Sequence, residues 1–284
     1  MKDFIQLTDL DLSFIHNVFS LADRIHKETD VLKGKCIVLF FPNSSIRTRI
    51  TFEKGITLLG GHPVLFPSDS LDKKESIEDV VGYLNNWADG IVVRHNSIKL
   101  IKEIEGLSKI PVINAMTNEN HPCEILTDLY SISKLRENFI NMQYTFIGRK
   151  GNIGNTWFEA AQAFGLKFRQ FCPKDKNYEI EGANILYDFD EALCGSDIIL
   201  TDSYPADILI DFLPYQITID AMRKANKNAL LNPCPPFFRG EEVSHDVINS
   251  LFFVGYQFKE SLLAIQQALI TYLFCPADRI LRLC

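Results

Sequence analysis

The sequence predicts an α/β protein built from two doubly wound, parallel-sheet domains. Short apolar runs alternate with segments of helical periodicity, and this alternation is typical of strand–helix units that pair in parallel. The alternation stops at the polar stretch 136–143 and then starts again. With 284 residues, the chain is long enough for about two domains.

Each strand predicted in the first half is an apolar run, as expected for a parallel strand covered on both faces. These strands are 36–41, 64–67, 90–94 and 111–113. The helices predicted beside them place apolar side chains three and four residues apart. They are 10–28, 46–59, 75–88, 97–106 and 124–137. Gly60-Gly61 ends the helix that follows the first strand, and the polar stretch 68–74 is a predicted loop.

The same two patterns recur in the second half of the chain. The predicted strands are 144–148, 166–171, 198–201 and 229–231. The predicted helices are 155–164, 218–225 and a C-terminal helix over 259–284. We therefore predict a first domain over 1–137, to which the C-terminal helix returns, and a second domain over 138–258. A ligand cleft is expected between two such domains, at the carboxyl ends of the strands.

The composition argues against several classes of function. The formal net charge is −7, whereas a nucleic-acid-binding protein needs a basic face. No apolar run approaches the roughly 18 residues of a membrane span, and the N-terminus does not resemble a signal peptide. The seven cysteines form no Cys-x-x-Cys pair and no zinc-ligand spacing with histidine. We therefore predict a cytoplasmic protein with reduced cysteines, no metal, and no nucleic-acid or membrane partner.

The segment Ser44–Arg49 has the composition of an oxyanion site. It follows the strand 36–41 and leads into a predicted helix, so hydroxyl groups meet the free amides and dipole of a helix N-terminus. The guanidinium groups of Arg47 and Arg49 fit phosphate oxygens, and Arg94 at the end of another strand adds positive charge. The alternative is a capped surface helix with solvated arginines.

A second candidate segment, His121-Pro122-Cys123-Glu124, places an imidazole beside a carboxylate where a loop enters a helix. Together with the oxyanion segment, it indicates a small phosphorylated substrate whose carbonyl group is polarised nearby. The alternatives are a structural histidine and a first-turn acid favoured by the helix dipole.

The glycine-rich turn Gly148-x-x-Gly151-x-x-Gly154 raises the alternative of a dinucleotide site. Its first spacing differs from the Gly-x-Gly of dinucleotide-binding turns, and Asp175 is the only late acid in 168–176. We therefore predict no cofactor.

These motifs and the blocks around them resemble the aspartate/ornithine carbamoyltransferase family, the ornithine branch more closely, over nearly the whole chain. The segment 41–53 resembles the family's carbamoyl-phosphate motif Ser-Thr-Arg-Thr-Arg, and 112–128 resembles its His-Pro-Cys-Gln block. The segment 74–79 resembles the part that reaches a neighbouring subunit's site, and 146–157 resembles the Gly-Asp-Gly turn. The segment 213–243 resembles the region around the ornithine branch's His-Cys-Leu-Pro motif.

The resemblance implies a carbamoyltransferase that moves the carbamoyl group from carbamoyl phosphate to the amine of a small, amino-acid-like acceptor. The implied carbamoyl-phosphate-binding residues are Ser45, Ile46, Arg47, Thr48, Arg94, His121 and Glu124. The implied catalytic residues are His121, Thr48, Arg94 and Cys234. The implied acceptor-binding residues are Asn152, Asp202, Cys234 and Pro235.

Two further expectations follow from the resemblance. The Pro235–Pro236 bond is expected to be cis, which prolyl bonds allow at low cost. A homotrimer is expected, in which Lys73 and Lys74 contact a neighbouring subunit's site. The alternative for these lysines is a pair of solvated loop charges.

The chain also departs from the family. Ile46 and Glu124 replace a threonine and a glutamine of the family motifs. Pro233 stands where the family has its catalytic-loop histidine, and Leu262 falls on its carbamoyl-contacting arginine. The segment 203–207 replaces the Ser-Met-Gly loop that binds ornithine. The phosphate half of the site therefore resembles the family more than the acceptor half does. The alternative function is a phospho-ligand-binding homologue without transferase activity.

Overall fold

A computed structural model describes residues 3–25 and 30–274 of the chain. The chain divides into two compact units. The first unit ends at Ser131 and resumes at Glu260, and the second is Ile132–Lys259. The domain boundaries at 137/138 and 258/259 stay predictions.

The first unit contains a four-stranded sheet in which every pair of neighbouring strands is parallel. Its strands are β1 (Cys36–Phe41), β2 (His62–Pro67), β3 (Gly90–Arg94) and β4 (Val112–Met116). The order across the sheet is β2-β1-β3-β4, so the chain changes direction of winding between β1 and β3. In open parallel sheets, ligands bind at the carboxyl ends of the strands beside such a switch point.

Five helices alternate with these strands along the described chain, and the last of them crosses from the first unit into the second. They are α1 (Leu12–Ala22), α2 (Arg47–Leu58), α3 (Ile77–Trp87), α4 (Ile98–Leu107) and α5 (Pro122–Leu135). Three of them begin at side-chain caps, since Asp11, Ser76 and Ser97 each accept a hydrogen bond from a backbone amide three residues later. A short 3₁₀ helix, Ser68–Asp72, occupies most of the stretch that we predicted as a loop.

The second unit contains a five-stranded parallel sheet. Its strands are β5 (Gln143–Ile147), β6 (Lys167–Phe171), β7 (Ile185–Leu186), β8 (Ile198–Thr201) and β9 (Leu230–Pro233). The order is β7-β6-β5-β8-β9, which places the switch point between β5 and β8. The helices of this unit are α6 (Asn152–Phe164), α7 (Phe189–Leu193), α8 (Leu209–Phe212) and α9 (Ile219–Lys224).

The C-terminal helix α10 (Ser261–Phe274) packs on α1 and α2 of the first unit. Close approach to α2 is possible because Gly55 has no side chain, and a Cβ atom there would lie 3.1 Å from Cγ of Gln267. The predicted return of the C-terminal helix to the first domain is confirmed. Residues 275–284 of that predicted helix, and residues 26–28 of the first predicted helix, lie outside the described residues.

The predicted α/β fold with two parallel sheets is confirmed. Besides 3₁₀ helices, one short strand and two short α-helices of the described chain were not predicted. These are β7, α7 and α8, which have two, five and four residues. Periodicity needs a window of about 11 residues or more to identify a helix, so elements of this length give no signal.

A stability prediction arises where α6 lies against β5. A Cβ atom at Gly154 would lie 2.6 Å from Cε1 of the buried Phe146 ring. Overpacking of this kind lowers stability by about 1–3 kcal/mol, and we expect that loss for Gly154→Ala in urea unfolding. Gly82 on α3 is the control, because a Cβ there meets nothing within 4 Å. Gly82→Ala should raise stability by about 0.5–1 kcal/mol. Equal urea midpoints for Gly154→Ala and Gly82→Ala would contradict the close contact between position 154 and the Phe146 ring.

Candidate functional site

The oxyanion segment lies between β1 and α2, beside the switch point of the first sheet. Ser45 and Thr48 are buried, and the Ser45 amide donates to the Pro42 carbonyl at 2.9 Å. Ile46 is the N-cap of α2, and its hydrocarbon side chain has no atom that accepts a hydrogen bond. A helix whose N-cap side chain leaves its first amides unsatisfied is suited to bind an anion there.

Arg94 joins this segment from the neighbouring strand. It ends β3, and its Nη1 donates to Oγ of Ser45 at 3.0 Å. Arg47 is exposed at the start of α2, whereas Nε of Arg49 pairs with Oε1 of Glu53 at 2.6 Å. The structure therefore brings Ser45 and Arg94 together, and it directs the Arg49 guanidinium to a carboxylate of its own helix.

His121 and Glu124 lie at the start of α5, beyond the end of β4. Both side chains are buried, with Nε2 of His121 4.0 Å from Oε2 of Glu124. Cys123 between them donates its thiol to the Asn114 carbonyl at 3.4 Å. Because β1, β3 and β4 are neighbours in a parallel sheet, the segments that hold Ser45, Arg94 and His121 leave the same edge of that sheet.

Lys73 and Lys74 follow the 3₁₀ helix and are exposed. The base of their loop is held by the buried Leu71 and by Asp72, whose Oδ1 lies 3.0 Å from Nε2 of His95. Contact of these lysines with a neighbouring subunit stays a prediction.

The predicted acceptor residues lie at the corresponding edge of the second sheet. Asn152 begins α6 after β5, Asp202 follows β8, and Cys234 and Pro235 follow β9. These strands are adjacent in the order β5-β8-β9, and the Cys234 amide donates to the Thr201 carbonyl at 2.8 Å. The cis Pro235–Pro236 bond is confirmed. The roles of these residues stay predictions.

The segment 203–207, which was predicted to stand in place of a Ser-Met-Gly loop, is held to the sheet by Tyr204. This side chain is buried, its ring stacks on Phe212 at 4.3 Å, and its hydroxyl donates to the Ile147 carbonyl at 3.2 Å. Pro205, Ala206 and Asp207 are exposed. The only charge that these three residues carry is therefore a carboxylate.

Glu242 is a buried carboxylate that no sequence motif indicated. Only 1% of this residue is exposed, and its Oε1 accepts a hydrogen bond from the Phe238 amide at 2.5 Å. Its Oε2 is buried with no hydrogen-bond partner in the described part of the chain. Burial raises the pKa of Glu242 to about 7, and the negative charges of Glu241 and Asp202 act in the same direction. The Glu241-Glu242 pair was visible in the sequence, but nothing local distinguishes which of the two is buried.

A pH dependence of stability follows from Glu242. The pKa rises from 4.5 to about 7 on folding, so the folded state binds the proton more tightly and loses stability as pH rises through that interval. Glu242→Gln removes this titration. The free energy of unfolding of Glu242→Gln minus that of the unmodified protein should therefore increase by roughly 2–3 kcal/mol as pH rises from 4.5 to 8. The increase arises because the unmodified protein loses this stability and the variant does not. Urea unfolding across this pH range measures the difference. Glu241→Gln is the control, and a Glu242→Gln difference that stays flat with pH would contradict the raised pKa.

Neither a metal site nor a membrane-spanning helix is present among the described residues. No group of three or more His, Cys, Asp or Glu side chains is arranged to hold a metal in residues 3–25 and 30–274. Within the same ranges, no helix combines the length and the hydropathy that a bilayer requires.

Two family models match the chain. The carbamoyl-P binding domain of the aspartate/ornithine carbamoyltransferases matches residues 2–134. The Asp/Orn binding domain of the same family matches residues 141–273. Together they account for both halves of the chain, in the order that the sequence blocks predicted.

Individual relatives show the same similarity. The ornithine carbamoyltransferase of Syntrophotalea carbinolica is 32% identical, over 96% of this chain and 99% of that protein. The ornithine carbamoyltransferase of Methylobacillus flagellatus is 32% identical, over 96% of this chain and 97% of that protein. Among solved structures, the ornithine carbamoyltransferase from Thermus thermophilus has a TM-score of 0.89 at 25% identity, covering 96% of this chain and 99% of that one. The anabolic ornithine carbamoyltransferase from Campylobacter jejuni has a TM-score of 0.86 at 28% identity, with the same coverage.

Proposed function

Because the chain belongs to the aspartate/ornithine carbamoyltransferase family, we propose that it transfers the carbamoyl group of carbamoyl phosphate to the amine of a small, amino-acid-like acceptor. The observation that carries this proposal is the contact of Arg94 with Ser45 beside the uncapped start of α2. Positive charge, a hydroxyl group and free helix amides converge there, as a phosphate requires.

The phosphate end of the substrate would be held by groups that also stabilise it as the leaving group. Ser45, Thr48 and the first amides of α2 donate hydrogen bonds, and Arg47 and Arg94 supply positive charge. Negative charge develops on the phosphate as its bond to the carbonyl carbon breaks. Donors fixed in advance around that charge lower the barrier without reorganising during the reaction.

The carbonyl end would be polarised by Thr48 and His121. An uncharged amine attacks the carbonyl carbon and a tetrahedral oxyanion forms. Phosphate then leaves as the bond from its oxygen to the carbonyl carbon breaks, and it accepts the proton that the amine loses. Donors to the oxyanion stabilise this intermediate, and Glu124 can accept a hydrogen bond from the carbamoyl NH₂ group. The protein's contribution is therefore positioning and electrostatic stabilisation, with no cofactor.

The acceptor would bind to the second unit through Asn152, Asp202, Cys234 and Pro235. Asp202 carries the charge that suits an amino group, and its Oδ1 accepts a hydrogen bond from the Ser203 amide at 2.9 Å. This hydrogen bond fixes the carboxylate at the end of β8.

We further propose a homotrimer, in which Lys73 and Lys74 reach a neighbouring subunit. Exposed aromatic groups on α3 support an assembly, because Tyr83 and Trp87 stack at 5.7 Å with Trp87 71% exposed. Light scattering should give the mass of three chains. Trp87→Ser should shift that mass downward, whereas Tyr256→Ser, at an exposed aromatic of the second unit, should not. A monomeric mass at micromolar concentration would contradict the shared site.

The cytoplasm is the proposed location. Among the described residues, Cys36, Cys123, Cys172 and Cys194 are free thiols. Free thiols are typical of a reducing compartment.

A phospho-ligand-binding protein without transferase activity is the second candidate, and two side chains favour it. Pro233 ends β9 and Leu262 is buried in α10, so neither position offers the polar group that the family resemblance implies there. Phosphate release from carbamoyl phosphate with a panel of amines separates the two functions. Release that depends on an amine supports transfer, whereas tight binding without release supports the second candidate.

A further inference from the structure

A network of buried amides surrounds the turn that precedes His121. Asn114 in the middle of β4 is fully buried, and Thr117 and Asn120 are 1% and 2% exposed. Polar side chains at such depth are retained where they are hydrogen bonded, since an unpaired polar group is destabilising. The placement of these three residues therefore depends on one another.

Asn120 is the centre of this network. Its Oδ1 accepts from Nδ2 of Asn114 at 2.7 Å and from Oγ1 of Thr117 at 3.0 Å. Its Nδ2 donates to the Ile5 carbonyl at 3.2 Å. The turn is also closed by its backbone, because the Thr117 amide donates to the Asn120 carbonyl at 2.7 Å. Asn120 thus connects the turn to β4 and to the beginning of the chain.

The N-terminal segment Asp3–Ile5 is fixed along β4. The Phe4 amide donates to the Val112 carbonyl at 2.9 Å, and the Asn114 amide donates to the Phe4 carbonyl at 2.8 Å. Oδ1 of Asp3 accepts from the Val112 amide at 2.8 Å. The Ile5 carbonyl then receives two side-chain amides, from Asn120 and from Asn114 at 2.8 Å. These hydrogen bonds to the Ile5 carbonyl hold the turn against the N-terminal segment.

We propose that Asn120 is a positioning residue for His121, with the segment Asp3–Ile5 as its support. His121 follows Asn120 directly in the chain, so any rotation of the turn displaces the imidazole. The inference rests on the proposed function in so far as His121 polarises the carbonyl group. Asn120 acts through His121, because its own side chain is occupied by the network.

Asn120→Asp tests this role with almost no change of shape. One carboxylate oxygen keeps the bonds from Asn114 and Thr117, while the other faces the Ile5 carbonyl oxygen without a proton between them. The turn must then move away from the N-terminal segment. A displacement of about 1 Å at a catalytic group can lower the rate about 100-fold. We expect kcat to fall by about that factor, with the KM for carbamoyl phosphate changed less than about threefold.

Asn118→Asp is the matched control. It introduces the same charge in the same turn, but the Asn118 side chain is exposed. Its kcat should stay within about twofold of the unmodified protein, as for an exposed substitution away from the network. Equal kcat values for the two variants, both folded by circular dichroism, would overturn the inference.

Thr117→Val is the second variant, for the case in which the buried carboxylate of Asn120→Asp prevents folding. This substitution keeps the side-chain volume and removes the Thr117 hydroxyl, which accepts a hydrogen bond from the backbone amide of Asn120 at 3.0 Å. We expect kcat to fall by about tenfold, because the turn before His121 would be only partly loosened. An unchanged kcat would overturn the inference.

A readout without substrate separates this inference from the proposed function. If the unmodified protein releases no phosphate with any amine, the proposed function fails. The NMR resonance of the His121 Cε1–H group then tests the inference. This resonance is assigned by its absence from the spectrum of His121→Gln. It should move and broaden in Thr117→Val and stay in place in Asn118→Ala. A resonance unmoved in both variants would overturn the positioning role.

Discussion

Replacing Arg94 by alanine is expected to lower kcat/KM for carbamoyl phosphate by about 10³-fold. The guanidinium is the charged group that already contacts Ser45, at 3.0 Å, and it lies beside the uncapped start of α2. Loss of one fixed donor to a developing negative charge typically lowers the rate 10²–10³-fold, and Arg94 also contributes to binding of the phosphate. Steady-state kinetics measure the loss, and thermal shift with a phosphonate analogue measures binding separately.

Arg49→Ala is the matched control for Arg94→Ala. Arg49 belongs to the same motif, but its guanidinium is paired with Glu53 at 2.6 Å. Partly exposed pairs of this kind contribute about 0–1 kcal/mol to stability, so the fold should tolerate the change. We expect kcat/KM within about fivefold of the unmodified protein, which corresponds to about 1 kcal/mol. Equal losses for the two variants would place the phosphate elsewhere.

Ornithine is expected to be a poor acceptor, with kcat/KM below about 10⁴ M⁻¹s⁻¹. The segment 203–207, predicted from the family resemblance to stand in place of the Ser-Met-Gly loop, contains the buried Tyr204 and the exposed carboxylate of Asp207. A carboxylate repels the α-carboxylate of ornithine. Loss of hydrogen bonds that a site is built to make can change discrimination 10⁴–10⁵-fold. A panel of diamines and basic amino acids, compared with ornithine, measures the preference.

Asp207→Ser isolates the charge in this prediction. Asp207 is exposed, so its replacement should leave the fold intact. Two fully solvated unit charges about 4 Å apart repel by about 1 kcal/mol, so ornithine should improve by about fivefold and a diamine should not. An ornithine kcat/KM at or above about 10⁴ M⁻¹s⁻¹ in the unmodified protein would show that 203–207 does not exclude it.

Buried parallel strands were the elements that the sequence predicted best. The observed bounds of β1, β3 and β8 equal the predicted 36–41, 90–94 and 198–201. A strand covered on both faces is a continuous apolar run, so it stands out from the sequence around it. Helix ends were predicted less well. For example, α5 lies two residues earlier than the predicted 124–137, and it begins at Pro122 because proline is favoured in the first turn.

The supports of the site were harder to predict than its motifs. The contact of Arg94 with Ser45 joins residues 49 positions apart, and only the order of the strands brings them together. Glu242 and Asn120 are polar residues in polar segments, and their burial is a property of the folded chain rather than of their neighbours in sequence. A motif identifies groups that can react, whereas the groups that hold them are set by tertiary packing.

Ile46 at the start of α2 links ligand binding to the stability of the folded chain. A phosphate bound at α2 would itself serve as the cap that the Ile46 side chain does not supply. A ligand at 100 times its dissociation constant would stabilise the folded chain by about 2.7 kcal/mol. In a cell that degrades unfolded protein, the amount of this protein would then follow the supply of its phosphorylated substrate. Substrate would then influence abundance through the folding equilibrium, a link that requires no separate regulatory site.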